Sequence, residues 1–468
     1  IVGQIDRAGS ESEFVSVANT ARATFARHPW SIGGGGAADL RERLEKPNLT
    51  LKASGADLGY LVITGEDNCL MLPIGAVDRL GFKHCMPISE GDAIRDWQCA
   101  SDLSVLWPYD RLGGDLEPAE CVTHVDGLWA YRSPLKERKV FGVPVEQKGL
   151  RWWDLREVYR ARLDRPLTIT FAEVATHNHF VLDCGGKVFK QTAPVIKLPA
   201  GASEDEHLGL LGLLNSSVAC FWLKQVCHNK GEGGGTRVEA GNSALGDEAW
   251  KSHFAFNSTK VADFPLTESQ PLELAARLDS LAREVANHSP ASMLAGADVP
   301  VPTRTDLDVA HRRGQNLRGQ QIATQEELDW HCYRLYGLLP TGSNASTYEH
   351  TAPPEVSLGQ RAFEIVLARR MAAGSATTAW FERHGATPVT EIPARWPEDY
   401  REVVQRRIDL IGNDRNIGLI ERPEYKRRWN TPAWDSLEQA ALRDWLLARL
   451  ESPRYWPRLD GSGSDATP

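Results

Sequence analysis

No stretch of this sequence approaches the roughly 18 consecutive apolar residues of a membrane-spanning helix. The nearest, 208–226, is broken by Asn215, Ser216, Ser217 and Lys224, so no membrane partner is expected. Eight cysteines, at 69, 85, 99, 121, 184, 220, 227 and 332, include no pair with a two-residue gap, which excludes a zinc knuckle or a Cys-x-x-Cys redox site. Thiols scattered in this way read as reduced core residues of a cytoplasmic chain. A Walker loop, a Gly-x-Gly-x-x-Gly after a strand, a His-Glu-x-x-His and a Gly-x-Ser-x-Gly are all missing, and with them the chemistries those motifs carry. The chain opens on Ile1 rather than Met, and its first fourteen residues hold neither a basic n-region nor an apolar run. No signal or transit peptide is read there, and the sequence reads as a piece of something longer.

What is present is a chain of 468 residues with 42% hydrophobic and 25% charged side chains, ordinary for a globular protein and long enough for two to four domains at ~100 to 200 residues each. A formal net charge of -9 argues on its face against a nucleic-acid partner, but the charge is uneven. Residues 1–130 hold 11 basic against 19 acidic side chains, whereas 131–165 hold 10 basic against 5 acidic, with Trp152, Trp153 and Tyr159 among them. Cations interleaved with planar rings suit contact with phosphates and bases; the alternative is a solvated, charged helix face.

The hydrophobic periodicity predicts a mixed α/β region followed by mainly α-helical C-terminal regions. A helix is expected over 13–27 and another over 37–44, the two separated by four glycines at 33–36. A hairpin is read from 60–64 and 69–72, with further strands at 104–109, 167–173, 179–183, 188–190 and 195–198. One long helix over 205–227 leads to a glycine-rich loop at 231–235. Helices follow at 272–287, 306–310, 324–336 (with a Thr324/Glu327 capping box), 359–370, 380–383, 398–411 and 434–450. The expected divisions are a connector over 1–36, an α/β domain over 37–270, a helical region over 271–340, a linker over 341–358, a helical domain over 359–456 and a disordered tail over 457–468.

The Trp-Pro-Tyr strand ending at Tyr109, followed by Leu135-x-x-Arg138, Gly149-x-x-Trp152, Trp153 and Arg156, resembles the target-recognition domain of fused adenine methyltransferases. The run 211–225 resembles the helix that closes that domain, and 327–338, ending in Tyr336-Gly337-Leu338, resembles a helix of type IIG restriction-modification enzymes. With the C-terminal runs 380–385, 414–429 and 445–447, nearly the whole chain is similar to the C-terminal part of PglX-like adenine-specific DNA methyltransferases of phage-growth-limitation (type 2 bacteriophage-exclusion) systems. The resemblance implies S-adenosylmethionine as cofactor, double-stranded DNA as substrate and other proteins of the defence system as partners. Adenine-N6 methylation needs the base flipped into a pocket formed by an Asn/Asp-Pro-Pro-aromatic loop. The one Pro-Pro here, Pro353-Pro354, lies between Ala352 and Glu355, so the catalytic and cofactor-binding domain is expected upstream and no catalytic residue is assigned. Two alternatives stand beside this: a non-catalytic DNA- or protein-interaction module, and the C-terminal part of a type IIG restriction-modification enzyme.

Three segments are candidates for DNA contact. The first is the basic stretch, with Arg132, Lys136, Arg138, Lys139 and Arg151 as phosphate anchors and Arg156 as a base reader, since arginine grips guanine with two hydrogen bonds. The second is His177, Asn178 and His179 with Lys190 and Gln191, on neighbouring strands, facing DNA or else forming a satisfied structural pair. The third is the loop with Gln225, His228, Asn229, Lys230 and Arg237. The run with Lys426, Arg427 and Arg428 is balanced by Glu421 and Glu424, and packing or a partner contact is expected there.

Overall fold

The computed structural model describes residues 36–451 except 48, 81, 112, 116–124, 232–248, 296–301, 340–345, 349–351 and 430–431, together with 2–10 and four positions between 17 and 26. Most of the expected 13–27 helix, Gly33 to Gly35, the glycine loop beyond Gly231, Arg237 and the tail lie outside the described residues.

The first half carries α1 (Ala37–Glu45) and seventeen short strands: β1 (Asp57–Gly59), β2 (Val62–Ile63), β3 (Met71–Pro73), β4 (Cys85–Ser89), β5 (Ile94–Arg95), β6 (Gln98–Cys99), β7 (Leu103–Leu106), β8 (Lys139–Val140), β9 (Val143–Pro144), β10 (Glu157–Val158), β11 (Thr168–Phe171), β12 (Val174–Ala175), β13 (Phe180–Asp183), β14 (Val188–Phe189), β15 (Val195–Lys197), β16 (His228–Gly231) and β17 (His253–Ala255). Between β7 and β8 lies a short helix, α2 (Arg132–Glu137), and between β15 and β16 lie α3 (Glu204–Leu214) and α4 (Ser217–Val226). Two four-stranded sheets, β1-β15-β11-β13 and β14-β4-β7-β3, form the centre, beside a three-stranded sheet β12-β17-β16 and the ribbons β10-β2, β5-β6 and β8-β9. Among the strands described, the ladders are antiparallel except β14 with β4. The helical half consists mainly of α5 (Leu272–Asn287), α6 (Arg304–Leu335), α7 (Ala362–Ala372), α8 (Glu398–Asn413), α9 (Arg415–Ile420) and α10 (Trp434–Leu450). A mixed α/β region followed by helices is the expected class. No described helix is long and apolar enough to cross a membrane.

Several local expectations need correction. The 60–64/69–72 hairpin does not form: β2 pairs with β10 and β3 with β7, and 67–70 is a helical turn. The 205–227 helix is two helices, because Asn215 caps the first and the Ser216 hydroxyl accepts the Ala219 N–H to start the second. Asn215 is also strapped to Phe180, accepting its N–H at 3.1 Å and donating to its carbonyl at 2.9 Å. Asn and Ser favour such end positions because their side chains satisfy orphan backbone groups. Conversely, the two helices read at 306–310 and 324–336 are one, α6. Its capping box is Thr303 with Asp306, while the Thr324 hydroxyl donates to the Gln320 carbonyl inside the helix. Gly319 within α6 lets residues 355–356 approach closely: the Val356 N–H donates to its carbonyl at 3.2 Å, and a Cβ there would meet Glu355.

One contiguous set of buried apolar side chains runs from Ala37 to Trp429, across the expected divisions at 271 and 359. From His207 to the end of α4 every residue but Gln225 is buried, as expected of helical segments apolar on most faces. α5 packs against both α3 and α6, which couples the two halves.

Candidate nucleic-acid interface

The basic segment divides into a frame and a surface. Arg138 belongs to the frame: its Nε donates to the Leu135 carbonyl, Nη1 to Thr64, and Nη2 to both Trp152 and Asp154. Buried, and with four of its five N–H groups committed to carbonyls, it sits inside the frame rather than on the surface where a phosphate anchor is expected, and burial holds its pKa down. The motif residues around it serve the same frame, since the Tyr109 hydroxyl accepts the Leu155 N–H at 2.9 Å. Arg151 is likewise engaged, by Asp154 at 2.8 Å and Asp115 at 3.0 Å.

The surface comprises Arg132, Lys136, Lys139 and Lys148, all exposed. Lys136 reaches Glu146 at 3.3 Å; among the described residues Arg132, Lys139 and Lys148 have no carboxylate partner. Three exposed rings accompany them: Trp129, under the Arg132 guanidinium at 4.3 Å, Tyr131, and Phe141. Phe141 and Gly142 form the two-residue turn of the β8-β9 ribbon, and the half-buried Arg156 guanidinium lies 5.6 Å from the Phe141 ring.

The second candidate segment is interior. His177, Asn178 and His179 lie before β13 and are buried, so they share no exposed strand face. His177 Nε2 meets the Tyr425 carbonyl at 3.0 Å, and the Asn178 amide donates to the Leu214 and Ser216 carbonyls. Burial, with Arg427 nearby, holds both imidazoles well below the usual histidine range, so they are neutral. Lys190 is held between Asp67 at 2.6 Å and Glu90 at 2.5 Å. β14, which precedes it, pairs with β4 rather than β13, so the expected neighbouring strands belong to different sheets. Gln191 is half-buried beside it. His177, Asn178, His179 and Lys190 are therefore engaged in an interior network, as the structural-pair alternative expects of the histidines. In the third segment His228 and Asn229 are exposed on β16, Lys230 and Gln225 are half-buried, and Arg237 lies outside the described residues.

The run 421–428 does pack inside, as its balanced charge suggested. Lys426 is fully buried and reaches Asp329 at 2.8 Å, Glu421 at 2.9 Å and Glu326 at 3.3 Å. Burial pushes the Glu326 carboxyl up to about 7, against the pull of Lys426. Arg427 Nη2 donates to the Asn178 carbonyl and the Asn215 side chain, and Nη1 meets His179 at 3.1 Å. Beside this junction lies a cleft of about 910 Å3, lined by Arg95, Lys251, Arg383 and Arg428 with Trp250 and Trp429. Arg428 spans it from the helical side: Nε donates to His384 Nε2 at 3.2 Å and Nη1 to the Thr176 hydroxyl at 3.0 Å. Sequence reasoning missed this cleft because its cations are scattered from 95 to 428, with no local run to signal them.

Three comparisons place the chain among known proteins. Residues 321–467 match a domain family of unknown function, DUF7008. The chain is 43% identical, over 97% of its length, to the adenine-specific methyltransferase PglX of Streptomyces coelicolor, and spans 38% of that protein. Among solved structures, the type IIL restriction-modification enzyme MmeI in complex with DNA is 12% identical, covering 61% of this chain and 33% of that one, with a TM-score of 0.33; a likeness that loose carries no argument. The chain is a relative of part of a PglX-like protein, and the resemblance read from its sequence runs is borne out.

Proposed function

We propose that this chain is the DNA-recognition portion of an S-adenosylmethionine-dependent adenine-N6 DNA methyltransferase acting in phage defence, as a cytoplasmic protein. The observation that carries the reading is the surface over 129–148, where Arg132, Lys139 and Lys148 stand exposed without carboxylate partners among the described residues beside the exposed rings of Trp129, Tyr131 and Phe141. Unneutralised cations bind the phosphate backbone and exposed rings read or unstack bases. The relative's name, an adenine-specific methyltransferase, supplies the chemistry.

The Pro353-Pro354 segment does not fit a loop that holds the reacting adenine. The Pro353-Pro354 step is followed by Glu355, whose carbonyl accepts the Trp396 indole N–H at 3.1 Å, and the next residue is bonded to α6. That segment is structural, with no polar side chain before it and no aromatic after it to hold a base. On the proposed reading, methyl transfer belongs to a domain outside these residues. The test is binding of duplex DNA by the chain and by its Arg132→Ala/Lys139→Ala/Lys148→Ala variant. Loss of affinity in a variant that is still folded supports the reading, and unchanged affinity refutes it.

A further inference from the structure

The tip of the β8-β9 ribbon departs from two ordinary preferences at one residue. Its turn has positive φ at both central positions, 51° at Phe141 and 81° at Gly142, the geometry that normally selects Asn-Gly or Asp-Gly. A phenylalanine has no polar side chain to offset left-handed backbone. Its ring is also 83% exposed, so burial does not select it either. Backbone strain of this sort persists where the surroundings hold it for a function.

The base of the ribbon is rigid while its tip is bare. Val140 and Val145 are buried, and Arg138, immediately before β8, is fastened by four carbonyls. The Arg156 guanidinium lies 5.6 Å from the ring centroid, and the same segment carries the exposed Lys139, two residues before the ring, and Lys148 beyond the ribbon. An apolar tip on a fastened support, in a segment that carries exposed cations, is complementary to a stack of bases lying between two lines of phosphates.

We propose that Phe141 is a wedge that inserts between base pairs of duplex DNA, with Lys139, Lys148 and Arg132 holding the flanking phosphates. Apolar side chains that enter a base step partly unstack it and kink the duplex. Such a wedge would loosen the helix near the recognised site, which eases extrusion of a base for modification. The inference rests on the DNA-recognition reading above and adds to it a residue and a deformation.

The test uses the full chain and two duplexes of one mixed sequence, one fully paired and one with a central mismatch. Unstacking costs least at a mismatch, so the wild-type chain is expected to prefer the mismatched duplex by about 5- to 10-fold, a little over 1 kcal/mol. Phe141→Ala should bind both equally, Phe141→Trp should restore the preference, and Lys139→Ala should weaken both by one factor with the ratio kept. A preference that survives in Phe141→Ala, or a wild-type chain that binds both duplexes alike, overturns the wedge while leaving DNA recognition standing. If the wild-type chain binds neither duplex, the DNA reading itself fails and the wedge with it. If Phe141→Ala lowers the melting temperature of the chain and leaves both affinities intact, the ring packs against protein, and the wedge is again overturned.

Discussion

Arg138 and Lys139 are adjacent cations that composition treats alike, and the structure gives them opposite roles. Lys139 is exposed and has no carboxylate partner among the described residues, whereas Arg138 closes a frame with Thr64, 74 positions away, and with Trp152 and Asp154. Local charge does not distinguish the two, because three of the four carbonyls that hold Arg138 come from other segments. The Leu135-x-x-Arg138 and Gly149-x-x-Trp152 runs are legible in the sequence as a signature, and the structure makes them legible as a scaffold. Hydrogen bonds to a charged donor contribute about 1.5 to 3 kcal/mol each, and leaving carbonyls unsatisfied adds a desolvation cost. Arg138→Ala is therefore expected to lose about 3 to 5 kcal/mol in urea unfolding, against less than about 0.5 kcal/mol for Lys139→Ala. Equal stability of the two variants would contradict the division into frame and surface.

Among elements, those governed by local pattern are readable from the chain. α5, α10 and the 380–383 turn fall where periodicity puts them, and the short strands β11, β13 and β15 lie within their expected runs. Failures come where distant partners decide: β2 takes β10 rather than its sequence neighbour, and α6 runs straight through a polar, glycine-containing stretch because α5 and residues 355–356 pack along it. The segment 421–428 is the best case of sequence and structure agreeing for a physical reason, since its charges are balanced because they are buried. Three carboxylates face Lys426, so removing the cation leaves them uncompensated. Lys426→Met should cost about 3 to 5 kcal/mol. Glu326→Gln should cost much less, because the Glu326 carboxyl, raised to about 7, already holds a proton much of the time near neutrality. Thermal unfolding of both variants checks this ordering, and a reversed order would show that Lys426 does not serve as the counterion.

At the scale of the whole molecule the two halves meet through interior polar contacts that no composition count announces. Arg427 joins Asn178 and Asn215, Arg428 crosses from His384 to Thr176, and within the helical half Arg407 joins Glu327 at 2.6 Å. Deleting the helices beyond 359 would leave Glu327, Asn178 and Asn215 without these partners, so that deletion is a poor way to ask whether the helical half binds partners. His384 reports on the junction. Its Nδ1 pairs with the Trp380 carbonyl at 2.6 Å and its Nε2 accepts from Arg428, an arrangement that needs the neutral ring. Burial lowers its pKa to about 4. The unfolded chain takes up this proton near the ordinary value of 6.5 and the folded chain does so only near 4, so protons favour unfolding across that interval. The contribution of His384 to stability is complete above about pH 6.5 and declines as pH falls towards 4. His384→Gln should therefore flatten the acid side of the stability profile between those limits, measured by urea unfolding at stepped pH. A profile as steep as that of the wild-type chain would contradict the neutral assignment.

The central claim is that the 129–148 surface grips DNA phosphates through Arg132, Lys139 and Lys148. The most direct measurement is the slope of log affinity against log salt concentration for duplex DNA, which counts phosphates neutralised at about 0.9 each. The Arg132→Ala/Lys139→Ala/Lys148→Ala variant should bind more weakly at every salt concentration, with the magnitude of the slope smaller by about 2 to 3. A variant whose affinity and slope both match the wild-type chain would contradict the account.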